Sequence, residues 1–529
     1  MGALSMLALL LTHPLEFRIL AQFWLYHDKQ RDITSSSEHA TSGWDRKSMR
    51  RCWEFLDLTS RSFSAVIKEL DGDLARTRSV DGAHWTILDE QNARSSRGIL
   101  TTVGEFVFQR STAVTATPIL LICMFYLVLR GLDTIEDDMT IPDDVKQPIL
   151  RSFHEKTVTP GWTFNGCGPN EKDRQLLVEY DVVVEELNRV APDCREVIVD
   201  ICHKMEVGMA DYAHKAATTG SIYLATVSEY DLYCHYVAGL VGEGLSRLFS
   251  ASGKEADWLQ HQLELSNSMG TLLQKTNITR DYREDVEDGR YFWPREIWGS
   301  EEYGGFKEMK ELYQPENAQR ALWVQSAMVV DALRHAEDAL DYLRLLKNQT
   351  VFNFCAIPAT MAMATLELCF MNPAMFQRNI KIRKAEAARL IMRSTNPREC
   401  AYMFRDYARK IHAKAHPADP NFLRISVACG KIEQWCERHY PSFVNVAQSS
   451  GGGNASQVFD PLDARTRIVQ LEQKQDRELA NEKRRANGKP VVAETPAATW
   501  EVASFVAAAF LLVLTLSLAI VWLVMRFAA

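Results

Sequence analysis

The stretch Ile119–Asp138, ILLICMFYLVLRGLDTIEDD, decides the fold class. An apolar run of helical length ends in four acids within six residues, Asp133, Glu136, Asp137 and Asp138. The run is too short to span a bilayer and follows Pro118, so it reads as a buried core helix. Asp133 and Asp137, four residues apart, share a face of that helix, with Glu136 beside them. Two carboxylates about 5 Å apart at an effective dielectric of about 20 repel by roughly 3 kcal/mol. Such a group calls for a positive partner, and its oxygen donors suit a hard cation such as magnesium.

The spacing recurs in KTNITRDYREDVEDGRYFWP, Lys275–Pro294, where Asp281 and Asp285 stand late in a second helical stretch between Arg280 and Arg290. One such motif on a helix is also met on ordinary salt-bridged surfaces. Two in one helical domain, facing each other across a bundle, make a grip for magnesium ions and a diphosphate. Apolar residues at three- and four-residue spacings continue through most of residues 51–446, with no alternating strand runs, which predicts an all-α domain.

The composition is that of a globular protein, with 47% hydrophobic and 24% charged residues. A net charge of −8 and the lack of a basic patch with interleaved aromatics argue against nucleic acid. The eleven cysteines form no CxxC pair, which points to reduced thiols and away from zinc. Residues 1–50 read as an N-terminal extension and 447–500, opening with SSGGGNAS, as a flexible, charged linker. From Val502 to Met525 the chain runs without a charge, long enough to cross a bilayer, with Lys- and Arg-rich NEKRRANGK upstream. Residues 501–526 are therefore expected to be a transmembrane tail anchor that leaves the large domain in the cytosol, where the sequons at Asn348 and Asn454 stay unmodified.

Five segments in order, SRSFSAVIKELDGDL, FYLVLRGLDTIEDDMTI, YCHYVAGLVGEGLSRLFSAS, NSMGTLLQKTNITRDYREDVEDGRYFWPREIW and LKNQTVFNFCAIPATMAMATL, resemble the squalene synthase family of the trans-isoprenyl diphosphate synthase superfamily. The resemblance implies an isoprenoid-synthase-type helical bundle with a C-terminal transmembrane helix, anchored in the endoplasmic reticulum membrane. It implies head-to-head condensation of two farnesyl diphosphates to presqualene diphosphate, then NADPH-dependent reductive rearrangement to squalene. Asp133, Glu136 and Asp137 match the family's first metal motif, and Asp281 and Asp285 the second. Arg61, Arg130, Arg280, Lys381 and Arg383 match the basic residues assigned to NADPH, there being no Gly-rich dinucleotide loop. Phe63, Tyr126, Phe352 and Phe354 are expected to line the substrate barrel, with Arg290 among the substrate-binding residues.

Tyr233 matches the family's proton-abstracting tyrosine, although Tyr230 and Tyr236 lie on the same helix and the residues alone do not choose among the three. A phenol with a pKa near 10 is a poor base and needs nearby magnesium, a cation or the departing diphosphate to assist. The chain departs from the family at about 76–118, where a stretch without helical period separates LDGDL from the FYLVLR helix. Retained intron sequence is one reading of it. The rival functions are a phytoene or dehydrosqualene synthase that stops without reduction, and a catalytically silent membrane-tethered scaffold crippled by the insertion.

Overall fold

The computed structural model describes residues 12–23, 25, 43–70 and 118–442. The expected insertion, apart from Pro118, the linker and the tail anchor all lie outside the described residues. The helices that frame the site and its surroundings are numbered in chain order: α1 Pro14–Gln22, α2 Lys47–Thr59, α3 Arg61–Ile67, α4 Pro118–Asp137 and α5 Pro192–Thr219. They continue with α6 Val227–Cys234, α7 Leu240–Ala251, α8 Leu263–Arg280, α9 Tyr282–Glu287 and α10 Ala318–Leu333. The last are α11 Ala336–Leu345, α12 Gln349–Cys369, α13 Lys384–Arg393, α14 Pro397–Lys414 and α15 Phe422–His439. The all-helical reading holds: strand among the described residues is confined to two two-residue pieces.

Helix α4 is apolar nearly all round because it is buried nearly all round, from Ile119 to Ile135. It opens on Pro118, whose missing N–H costs nothing in a first turn. It stops where the Asp138 carboxylate turns away to accept the backbone N–H groups of Thr140 (2.9 Å) and Gly168 (2.7 Å). The last acid of the opening motif thus ends the helix, while the other three remain available.

Helix α8, which carries the second motif's approach, packs against α7, α10, α11 and α12. Its buried residues include Met269, Leu272 and Ile278 but also many small or hydroxyl-bearing ones: Ser266, Ser268, Gly270, Thr271, Thr276 and Thr279. Thr276 and Thr279 return their hydroxyl protons to carbonyls one turn back, each at 2.7 Å, so burial leaves them satisfied. The close approach is reciprocal. A Cβ on Gly242 of α7 would collide with the Ser266 carbonyl, and a Cβ on Gly270 with that of Ala238. The glycines of GLVGEGLSRL therefore serve helix packing. At the other end, fully buried Lys275 bonds Asp231 of α6 at 2.6 Å and pairs with Asp331 of α10, joining three helices.

The strand pieces β1 (Ile222–Tyr223) and β2 (Arg290–Tyr291) pair in parallel, Ile222 with Arg290 and Tyr223 with Tyr291. This short ladder fixes the backbone of Arg290 beside the segment that leads into α6. Among the described residues, α12 alone is long and apolar enough to cross a membrane, and its apolar window is 72% buried inside the protein, as befits a core helix. Helix α1 lies on α13 through Leu20, Ala385 and Ala388.

The glycine contact predicts an asymmetric pair of variants. Gly270→Ala should destabilise the fold by about 1–3 kcal/mol through overpacking against backbone. Gly430→Ala in α15, where a Cβ meets nothing within 4 Å, should be neutral or stabilising by up to about 1 kcal/mol. Urea unfolding followed by circular dichroism separates them; equal midpoints would contradict the packing account.

Candidate active site

A cavity of about 660 Å³ opens between α3, α4, α7, α8 and α12, within the range of small-molecule sites. Its deep wall is apolar, built by residues such as Ile122, Phe125, Val241, Leu245, Met269 and Leu273. Its mouth is lined by Asp133 and Asp137 from α4, by Asp281 and Asp285, and by Arg130, Arg280, Arg290 and Lys381. The two acidic motifs, 148 positions apart from Asp133 to Asp281 in the chain, thus meet at one end of one cavity.

Arg290 is the hinge of this meeting. Its guanidinium lies 3.4 Å from Asp137 and 3.1 Å from Asp285, and reaches Asp288 at 3.1 Å. Asp133 pairs with Arg130, which is itself held by Asp173 through Nε at 2.8 Å. Asp281 is bonded by Arg280 (2.7 Å) and by the Asn379 amide (2.9 Å), which also reaches Glu284 at 2.9 Å.

These cations do not balance the acids. Carboxylate oxygens of Asp133, Glu136 and Asp137 lie within 4.8 Å of one another. Glu136 is buried, and its Oε1 has no hydrogen-bond partner; Lys146 nearby bonds the Glu136 carbonyl at 2.8 Å instead. Loss of hydration, followed by repulsion from Asp137, pushes Asp133 up to about 7 against the pull of Arg130. Desolvation pushes Asp285 up to about 7 as well, with Arg290 opposing. Desolvation, Asp137 and Asp133 raise Glu136 as well. Asp138 goes the other way: despite its own desolvation, hydrogen bonds from Thr140 and Gly168 lower it. An orphaned buried oxygen within a three-carboxylate group is the donor set of a hard divalent cation, so the residues present fit magnesium.

Of the three tyrosines in EYDLYCHY, Tyr233 alone lines the cavity. Its ring stacks on Phe292 (centroids 5.0 Å) and meets Tyr212 edge-on (5.1 Å). Burial and the carboxylates of Glu136, Asp137 and Asp133 raise its phenol well above the ordinary range. Tyr230 is fully buried against the Lys275 ammonium, 4.7 Å from its ring centre, and Tyr236 packs on Gly208. Two residues after Tyr233 the helix opens into a π-turn, His235–Gly239, a feature frequent at functional sites.

The expected residues divide by position. Phe63 and Tyr126 line the cavity as a ring pair 5.5 Å apart, and Phe354 joins them. Phe352 does not: it is buried two positions from Phe354, on the opposite side of α12. Lys381 stands at the cavity and has no salt bridge among the described residues. Arg383, by contrast, is mostly exposed and held at 2.5 Å by Glu16 of α1. Arg61 opens α3, and its side chain lies outside the described residues. Asp173, Asn379, Glu284 and Phe292 went unread in the sequence. Phe292 and Glu284 sit within the quoted stretch Lys275–Pro294, but no spacing marks Asp173 or Asn379.

A helical bundle with paired acidic segments over an apolar cavity defines the class of synthases acting on prenyl diphosphates, and residues 121–386 match the squalene/phytoene synthase family. A squalene synthase of Ganoderma lucidum is 64% identical over 493 residues, 92% of this chain and 96% of that protein. One from Schizosaccharomyces pombe is 45% identical over 80% of this chain and 81% of its own. A solved complex of TcSQS with a ligand superposes with a TM-score of 0.62 at 34% identity, covering 74% of this chain and all of that one. The chain belongs to the squalene synthase family.

The raised carboxyl groups predict a pH dependence. Between about pH 4, the ordinary carboxylate range, and about 7, the folded protein keeps protons on Asp133 and Asp285 that the unfolded chain has released. These two groups therefore make the metal-free protein less stable as pH rises through that window. A cation must displace the same protons to bind. Excess magnesium should accordingly raise the melting temperature more at pH 8 than at pH 6, and Asp285→Asn should shrink the difference. Equal shifts at both pH values would contradict the assignment.

Proposed function

We propose that this chain joins two farnesyl diphosphates head to head into presqualene diphosphate and converts that product to squalene with magnesium and NADPH. One observation carries the reading: acids from two distant segments meet across Arg290 at the charged mouth of an apolar cavity. Asp133, Glu136, Asp137, Asp281 and Asp285 would hold the magnesium ions. When bound, the metal neutralises charge on a leaving diphosphate, and NADPH supplies the hydride that quenches the final cation.

The protein's own groups do the rest. Arg130 and Arg290 direct their guanidinium donors to where diphosphate oxygens leave. Phe63, Tyr126 and Phe354 shape the apolar wall, seat the C15 chains and keep water from carbocations. Lys381, unpaired at the cavity among the described residues, suits the phosphates of a nucleotide reductant. Arg280 and Arg130 serve it from positions already committed to Asp281, Asp133 and Asp173. Arg61 and Arg383 complete the proposed reductant set, Arg383 on release from Glu16.

Forming the cyclopropane requires loss of a proton from carbon. With its phenol raised by burial and three acids, Tyr233 does not wait as a phenolate. It takes the proton only as it passes its own to the departing diphosphate, within a site made positive by bound cations. The uncharged C-terminal run would anchor the chain in the endoplasmic reticulum membrane with the catalytic unit on the cytosolic side.

Product analysis with purified protein tests this. Squalene should form from farnesyl diphosphate only with both magnesium and NADPH, and presqualene diphosphate should accumulate without the reductant. Tyr233→Phe should lower presqualene diphosphate formation by roughly 10²–10⁴-fold with substrate binding changed only a few-fold. A protein ending at about residue 446 should remain in solution and stay active. A product made without NADPH that is a C30 hydrocarbon other than squalene would overturn the assignment.

A further inference from the structure

Outside the cavity, two histidines converge on one carboxylate. His154 sits in a short helix, Phe153–Lys156, while His203 and Glu206 are three residues apart on one face of α5. The Nδ1 atoms of His154 and His203 lie 2.5 and 2.8 Å from the same Oε1 of Glu206. The other oxygen accepts the His154 backbone N–H at 2.8 Å. The two rings are 4.2 Å apart between centres.

The Glu206 side chain is fully buried, and its ion pairs among the described residues are with these two histidines alone. Two neutral imidazoles donating Nδ1–H would satisfy its hydrogen bonds but leave a buried negative charge uncompensated. Two imidazolium ions this close would repel. One protonated and one neutral ring would balance the charge; a divalent cation offers a second solution, replacing the protons at Nδ1, keeping both rings neutral and neutralising the carboxylate, with one positive charge left for an anionic ligand at an open position.

Two imidazoles and a carboxylate are a zinc donor set with the fourth position open, unlike the all-oxygen group in the cavity. Ligand atoms around a tetrahedral zinc lie about 3.3 Å apart, so the rings need retreat by less than about 1 Å. The histidines remain 24% and 54% accessible. They face an open hollow of about 400 Å³, lined also by Pro192, Arg195, Glu196 and Asp200. Asp200 is already committed to Lys204 and Arg247.

We propose that His154, His203 and Glu206 form a zinc-class site separate from the acidic mouth. The ion would clip the short helix to α5. The neighbouring residue Phe153 is fully buried against Gly131 of α4, just before Asp133, so the clip would steady the base of the acidic helix.

The test uses the full chain, stripped with a chelator and held in excess magnesium to fill oxygen-ligand sites. All eleven cysteines are buried, which limits competition from thiols. Zinc titration against a competing chelator should show one equivalent bound, with a rise in melting temperature. His203→Ala, at a half-exposed position, should weaken binding at least ~10-fold and abolish the rise. His203→Cys, which retains a metal ligand, should still bind and should add a thiolate-to-cobalt charge-transfer band when cobalt replaces zinc. No stoichiometric zinc in the unaltered protein, or equal affinity in His203→Ala, would overturn the proposal.

Discussion

Carboxylates crowded at one end of a cavity, Glu136 and Asp285 buried and Asp133 and Asp137 half-buried, are the constraint from which the rest of the structure follows. Three of them on α4 lie within 4.8 Å of one another, and Asp285 faces them across Arg290. Each pair at such separations costs roughly 3–4 kcal/mol at an effective dielectric of about 20. One guanidinium shared among Asp137, Asp285 and Asp288 does not offset that. The imbalance shows as a raised proton affinity at Asp133, Glu136 and Asp285, and as a Glu136 oxygen without a partner. A site so built is poised for added positive charge, and it places that charge beside the apolar cavity where a leaving diphosphate would emerge.

Keeping the acids together requires a stiff frame. The backbone contacts of α8 with α7 and with the π-turn before it, possible only because Gly242 and Gly270 lack side chains, bring the cavity walls close. The pairs of buried Lys275 tie α8 to α6 and α10, so the second acidic segment and Tyr233 are set on elements joined through one buried ammonium. The two-residue ladder between β1 and β2 does the same for Arg290. Strand structure is almost absent from the described residues, yet its one instance holds the residue that bridges both motifs.

The sequence made the helical class plain because burial imprints a three- and four-residue period, and it made the acids plain because Asp133/Asp137 and Asp281/Asp285 repeat one spacing. Tyr233 was separable from Tyr230 and Tyr236 only in three dimensions, since all three share a helical stretch and the choice depends on which faces the cavity. Phe352 and Phe354 show the same limit: two positions along a helix turn a side chain to the far side. Asp173 and Asn379 act through contacts with Arg130 and Asp281 from loops distant in sequence, and no local pattern encodes such pairs. Glu136 reads as a ligand from its place beside Asp137 and its match to the family's first metal motif; its burial and its orphaned oxygen are visible only in the fold, where Lys146 bonds its carbonyl and not its carboxylate.

The claim most in need of measurement is that the two motifs act as one cation-mediated grip. Calorimetric titration of inorganic pyrophosphate into the unaltered protein, Asp133→Asn, Asp285→Asn and the double variant, with and without magnesium, addresses it directly. The account predicts binding that requires magnesium, large losses in each single variant, and a double variant little worse than either. Pyrophosphate binding that ignores magnesium, or losses that simply add, would contradict it.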